Sequence, residues 1–379
     1  MSSLVLHEFH EGAGARFAAV NGLEVVEHYG DATAEHAALV RTAGVVDLSF
    51  RSRVCLVGAD RERFLNGQVT NNVKTLKTAE GCYAALITAK GRMQSDLNIY
   101  RLENELLLDF EPGLTSTVIE RFEKYIIADD VQAVDVRAHY GLLSVQGPRA
   151  EDVIREFEPG LELPAHPLSF RQLAGSPLGE VYVARHARAP VSLPLTADAR
   201  PLTGFDLFVP VANLEQAAQR LLAAAKAING RACGWTALET ARIEAGIPRF
   251  GVDMDESNLA PEAGIEDRAI SYSKGCYIGQ EVIARIRTYG QVTRTLTGLR
   301  LADGLSPLPA KGDELSKDGK KAGCVTSALA SPAFKANIAL AYVRREVNQP
   351  GAELTLRTAA GESRVRLVPL PFAADDLAG

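Results

Sequence analysis

The stretch KGCYIGQE, residues 274–281, sets a lysine, a cysteine, a tyrosine, a glutamine and a glutamate around two glycines. Buried core is not composed that way, and a surface loop rarely needs a cysteine. Cysteine reacts as its thiolate, and a nearby cation lowers the pKa of the thiol. Lys274, two positions before Cys276, supplies that cation if the chain turns at Gly275. Arg285 and Arg287 follow at a spacing that can also face the loop, and Tyr277, Gln280 and Glu281 offer hydrogen bonds to a ligand. The two glycines permit a tight turn. The pattern predicts one activated thiol, Cys276, with Lys274 beside it.

Other chemistries are excluded by their missing signatures. There is no CxxC, no HExxH and no Walker loop. The seven histidines are dispersed, with His7 and His10 as the one close pair, and no metal site is expected. EGAGARF begins as GxGxxG does, but Phe17 stands where the third glycine belongs, and no alternating strand precedes it. A lone cysteine does not hold an iron–sulfur cluster, which takes four ligands.

A net charge of −6 argues against binding nucleic acid through bulk electrostatics. No apolar run reaches the length that spans a bilayer, and the N-terminus lacks the pattern of a signal peptide. Five scattered cysteines, an odd number, predict reduced thiols in a cytoplasm.

The elements that must position these residues fall into three parts. SRVCLVG alternates as a strand, ADRERFLNGQV reads as a short helix, and CYAALITAKGRMQSDLNIYRL as two strands joined at Lys90-Gly91. NELLLDF, a helix in GLTSTVIERFEKYII, and VQAVDVRA complete the unit. LLSVQGPRAEDVI and FDLFVPVANLEQAAQRLL echo two of its pieces in the same order, which predicts a second, related lobe. Thr236 and Glu239 predict a capping box for a helix that carries Arg242 and ends near Gly246. From Gln291 short strands separated by turns predict a small all-β module, with a frayed FAADDLAG tail. The expected fold class is α+β: two related ferredoxin-like α/β lobes, residues 1–140 and 141–290 with KGCYIGQE in the second, then a β-barrel over 291–379.

These stretches also carry a family resemblance. KGCYIGQE resembles the hallmark of the YgfZ-type folate-binding proteins, relatives of the T-protein, the aminomethyltransferase of the glycine cleavage system. FLNGQVTNNV, AKGRMQSDL, SVQGPRA and ARIEAGIPRFGVDM extend the resemblance over nearly the whole chain. It implies three modules around a central channel that binds tetrahydrofolate or another reduced folate. It implies a pteridine-binding carboxylate at Asp206 of LTGFDLFV, where Leu202 replaces the family's tyrosine. It implies a second functional carboxylate at Asp96 of GRMQSDL, near the reacting folate nitrogen, with Ser95 in place of another aspartate. Arg242 joins the implied folate set with Tyr277, Gln280 and Glu281, and Cys276, Asp96 and Lys274 form the implied catalytic group.

T-proteins usually lack the cysteine. The YgfZ-type resemblance implies a folate-binding accessory protein that supports iron–sulfur cluster assembly or repair through Cys276, including that of tRNA-modifying enzymes. Its partners would be client enzymes or assembly proteins. The alternative is an aminomethyltransferase that uses Asp96 and a lipoyl-carrying partner; Leu202, Ser95 and the shortened loop predict little such turnover.

Overall fold

The computed structural model describes residues 3–173, 175–189, 203–290 and 292–377. The chain begins with α1 (His7–Gly12), the hairpin of β1 (Arg16–Val20) and β2 (Leu23–His28), α2 (Ala32–Arg41) and β3 (Gly44–Asp47). Asn21 and Gly22 both take positive φ at the hairpin tip, as a two-residue loop between right-twisted strands requires. Asp31 starts α2 by accepting the Ala34 N–H at 2.9 Å.

One lobe follows: β4 (Ser52–Val57), α3 (Arg61–Gln68), β5 (Gly81–Ile87), β6 (Met93–Arg101), β7 (Leu106–Phe110), α4 (Thr115–Glu123) and β8 (Gln132–Asp135). Its antiparallel sheet runs β5-β6-β7-β4-β8. Strand alternation sorts the side chains by face. Leu97 and Ile99 of β6 and Leu106, Leu108 and Phe110 of β7 pack with Phe64, Leu65 and Phe122 of the two helices. The opposite parity turns Asp96, Asn98 and Asp109 to the other face.

The second lobe repeats this succession: β9 (Tyr140–Gly147), α5 (Ala150–Phe157), β10 (Phe170–Leu173), β11 (Val181–Arg185), β12 (Thr203–Pro210), α6 (Leu214–Lys226) and β13 (Arg231–Ala232). Its sheet runs β10-β11-β12-β9-β3-β13, the order of the first lobe with β3 inserted before the last strand. The helix-free faces of the two sheets share one apolar cluster, in which Tyr100 meets Phe208 with ring centroids 5.2 Å apart.

Sheet membership crosses the boundary expected at residue 140. β3 lies before the first lobe in sequence yet pairs with β9, Val46 opposite Ser144, because the exposed edge of that sheet needs a partner. The second lobe thus takes strands from both sides of the first.

Next come α7 (Trp235–Glu244), α8 (Glu266–Ala269) and α9 (Gln280–Tyr289). The predicted capping box is absent. Gly234 stands at the start of α7, and the Glu239 carboxylate pairs with Arg242 instead. Phe250, Met254, Ile265, Tyr277 and Ile283 pack on Ala85, Ile87 and Met93 of the first lobe, so KGCYIGQE lies against that lobe and not the second.

The barrel closes in the order β14 (Arg294–Arg300), β17 (Ala336–Arg344), β16 (Lys320–Ser331), β15 (Glu314–Lys317), β18 (Glu353–Thr358), β19 (Gly361–Val368). The tail is not frayed through residue 377: Phe372 and Leu377, in the helix α10 (Ala374–Leu377) and just before it, are buried beside Ile243.

Candidate functional site

The polar face of β6 and the end of β7 wall a cavity of about 660 Å³ between the lobes. Arg185, His186 and Arg188 close it from the second lobe, and Trp235, Glu239 and Arg242 from α7. Its lining holds six arginines (51, 185, 188, 242, 249 and 268) against three carboxylates, Asp96, Glu111 and Glu239. A chain with a net charge of −6 has therefore concentrated cations in this cavity.

Asp96 is half-buried in that wall. The Tyr83 hydroxyl donates to its Oδ2 at 2.8 Å, while Oδ1 is shielded from solvent and has no hydrogen-bond partner among the described residues. Burial, with the Glu111 carboxylate next, pushes the Asp96 carboxyl up to about 6. An acid that changes charge near neutrality beside an unmet acceptor can bind a donor or take a proton.

The other charges are locked in a web. Arg51 donates from Nε to Asp109 at 2.8 Å and from Nη1 to Glu111 at 2.7 Å. Arg249 approaches Glu111 at 3.3 Å with its guanidinium 5.0 Å from the Trp235 ring centroid. Arg188 bridges the sheets, donating to Asp109 at 3.1 Å and to Asp206 at 2.6 Å. Burial alone would raise the Asp109 carboxyl, but Arg51 and Arg188 hold it well below the usual range. The web fixes the cavity walls before any ligand arrives.

The structure separates the residues expected to act together. Asp96 and Arg242 line the cavity. Asp206 does not: it is fully buried, with Ser144 donating to Oδ1 at 2.7 Å, His186 at 2.9 Å from Oδ2, and Arg188 binding both oxygens. Despite burial, Arg188 and His186 keep the Asp206 carboxyl below its ordinary value. Its contacts are to Arg188 and His186, which do line the cavity. Leu202 lies outside the described residues. Arg242 spends its donors on Asp253, Glu239, the Ile247 carbonyl and the Ser327 hydroxyl of β16.

None of the eight residues of KGCYIGQE lines this cavity. Lys274 is buried, and its Nζ donates to the carbonyls of Asn66 (2.6 Å), Val69 (2.7 Å) and Asn71 (2.6 Å). All three donor positions of the ammonium are used on the end of α3 and the turn beyond it, so it is not poised over the thiol. Burial lowers Lys274 to about 8. Cys276 is exposed, Tyr277 is buried, and Gln280 and Glu281 open α9. Of the two glycines only Gly279 has positive φ, and a Cβ there would meet the Thr88 carbonyl at 2.4 Å.

Sequence reasoning named Arg242 but missed Tyr83, Glu111 and the other five arginines of the lining. A signal existed for some of them. SDLNIY and LLLDFE place polar residues 96, 98, 109 and 111 at alternate positions in apolar strands, so one sheet face is polar.

Two duplicated sheets wall a cavity lined by six arginines with Tyr83 and Trp235, and a closed six-stranded barrel follows them in the chain. The glycine cleavage T-protein family likewise ends in a barrel domain. Its N-terminal domain, GCVT, matches residues 6–274 and its C-terminal barrel domain matches 294–373; the chain belongs to this family. The aminomethyltransferase of Rubrobacter xylanophilus is 30% identical over 369 residues, covering 97% of this chain and 93% of that protein. That of Shouchella clausii is 26% identical over 373 residues, covering 97% and 96%. The crystal structure of glycine cleavage system aminomethyltransferase T from Bartonella henselae superposes with a TM-score of 0.85 at 22% identity, covering 98% of this chain and 97% of that one, which shows the fold.

Proposed function

We propose that the chain binds a reduced folate in the cavity between the lobes and handles a one-carbon unit there, with Asp96 at the reacting end. The observation that carries this reading is the unmet, shielded Oδ1 of Asp96 in an arginine-rich cavity. The residues fit the ligand. A carboxylate accepts the paired donors of a pteridine edge. Arginines satisfy the carboxylates of a glutamate tail, and Trp235 and Tyr83 offer ring surface. When bound, a reduced folate supplies the nitrogen that carries the one-carbon unit.

This chain's residues do the rest. Tyr83 orients Asp96, and a carboxyl raised to about 6 exchanges a proton near neutral pH. Asp206 and Asp109 hold Arg188 so that it does not collapse onto Asp96. Calorimetry with tetrahydrofolate tests the reading. Asp96→Ala loses about ten-fold or more in affinity, the loss expected for a charged hydrogen-bonding partner. Absence of binding by the wild type to any reduced folate overturns it.

A second reading, a YgfZ-type accessory to iron–sulfur enzymes, is favoured by one observation: Cys276 is an exposed thiol outside the cavity, where a partner protein can reach it. A knockout complemented separately with Asp96→Asn and Cys276→Ser separates the two readings. Failure of Cys276→Ser to restore iron–sulfur enzyme activities supports the accessory role. Loss of glycine cleavage with Asp96→Asn supports aminomethyl transfer.

A further inference from the structure

A second cavity, of about 550 Å³, shares no lining residue with the first. It lies where the ends of β14, β16 and β17 meet Ser257 and Glu262 and the Arg92 turn of the first lobe. Arg294 begins β14 and Arg344 ends β17, and the two are direct partners in the antiparallel pair. Like charges placed directly opposite on paired strands repel. Glu262, 3.3 Å from the Arg294 Nε, offsets one of them. Arg344 has neither an ion pair nor a side-chain hydrogen bond among the described residues. With Arg92 and Lys321, the lining holds four cationic side chains against two carboxylates, Glu262 and Glu346.

Tyr342 precedes Arg344 by two positions and so shares its strand face. It is only 3% exposed, and its hydroxyl has no hydrogen-bond partner among the described residues. Buried hydroxyls are nearly always satisfied, so an unmet one that lines a cavity points to a ligand. Burial, with Glu262 beside it, pushes the phenol up, so the group remains a donor. The volume falls within the range of small-molecule sites.

We propose that this second cavity binds a small oxyanion-bearing molecule, whose phosphate or carboxylate sits between Arg294 and Arg344 and accepts the Tyr342 hydroxyl. Such a ligand would tie the barrel to the turn at residues 257–262, apart from the cavity that faces Asp96. The pair of arginines then has a function that bare repulsion would not maintain.

The test is calorimetric titration of the full chain with inorganic phosphate and, as the carboxylate arm, with tri-γ-glutamate. Saturable binding of either is expected, and the arm that binds identifies the source of the anion. Tyr342→Phe, which retains the packed ring, and Arg344→Gln should each weaken it about ten-fold. Their melting temperatures without ligand confirm that both variants are folded. No binding of either probe up to about 10 mM overturns the proposal, as does undiminished binding by both variants.

Discussion

At the scale of the residue, environment assigns the roles. Asp96 and Asp206 look alike in sequence, but one retains an unmet oxygen and the other has none. The Asp96 carboxyl lies at about 6 against an ordinary 3.8, so folding takes up a proton between those values. The stability associated with the neutral acid is full below the lower value and is lost as pH rises through the upper one. Asp96→Asn should therefore stabilise the ligand-free protein at about pH 8, by on the order of 2 kcal/mol, and leave it nearly unchanged at about pH 4. Thermal unfolding at the two pH values measures this. Cysteine chemistry divides the same way. Burial pushes the Cys55 and Cys233 thiols up and raises Cys82 to about 12, while Cys276 is exposed. Iodoacetamide mapping at neutral pH should find Cys276 modified before Cys55, Cys82 and Cys233; if it is slowest, the accessory reading loses its support.

At the scale of the element, KGCYIGQE is a clasp. Lys274 terminates α3, Gly279 passes close under Thr88, and Tyr277 packs against the first lobe. The clasp also reaches the cavity. The Asn71 carbonyl accepts from Lys274, and the Asn71 amide donates to the Tyr83 and Arg268 carbonyls, with all three residues in the cavity lining. Lys274→Ala would leave three inward-facing carbonyls without their donor, a loss of at least about 2 kcal/mol by chemical denaturation. It should not selectively slow alkylation of Cys276. The reactive-looking spacing of Lys274 and Cys276 was legible in the sequence, but the direction of the lysine was not. That direction depends on where α3 ends, some two hundred positions earlier.

At the scale of the whole molecule, α7 joins the lobes to the barrel. Its last residue, Glu244, is fully buried and lies 2.6 Å from His36 of α2. It also accepts from the Ser331 hydroxyl of β16 and from the Ala333 N–H at 3.2 Å. Glu244→Ala strands these donors and opens a buried gap, a loss of about 3 kcal/mol. Calorimetry should then show the barrel melting earlier than the lobes, or a lowered common transition. A variant that melts as the wild type does would show that the clamp is dispensable.

Local pattern determined much of this protein. Period-two alternation marked the strands, the glycine-punctuated segment after residue 290 marked the barrel, and the two echoed pieces marked the duplication. These depend on neighbours within a few positions, which the chain specifies directly. Tertiary structure alone decided which sheet receives β3, which carboxylate retains an unmet oxygen, and whether Lys274 faces a thiol or three carbonyls. Each of those outcomes is a contact between residues about a hundred or more positions apart, or the lack of one. Burial and charge partners there are created by packing, and residue type alone does not encode them.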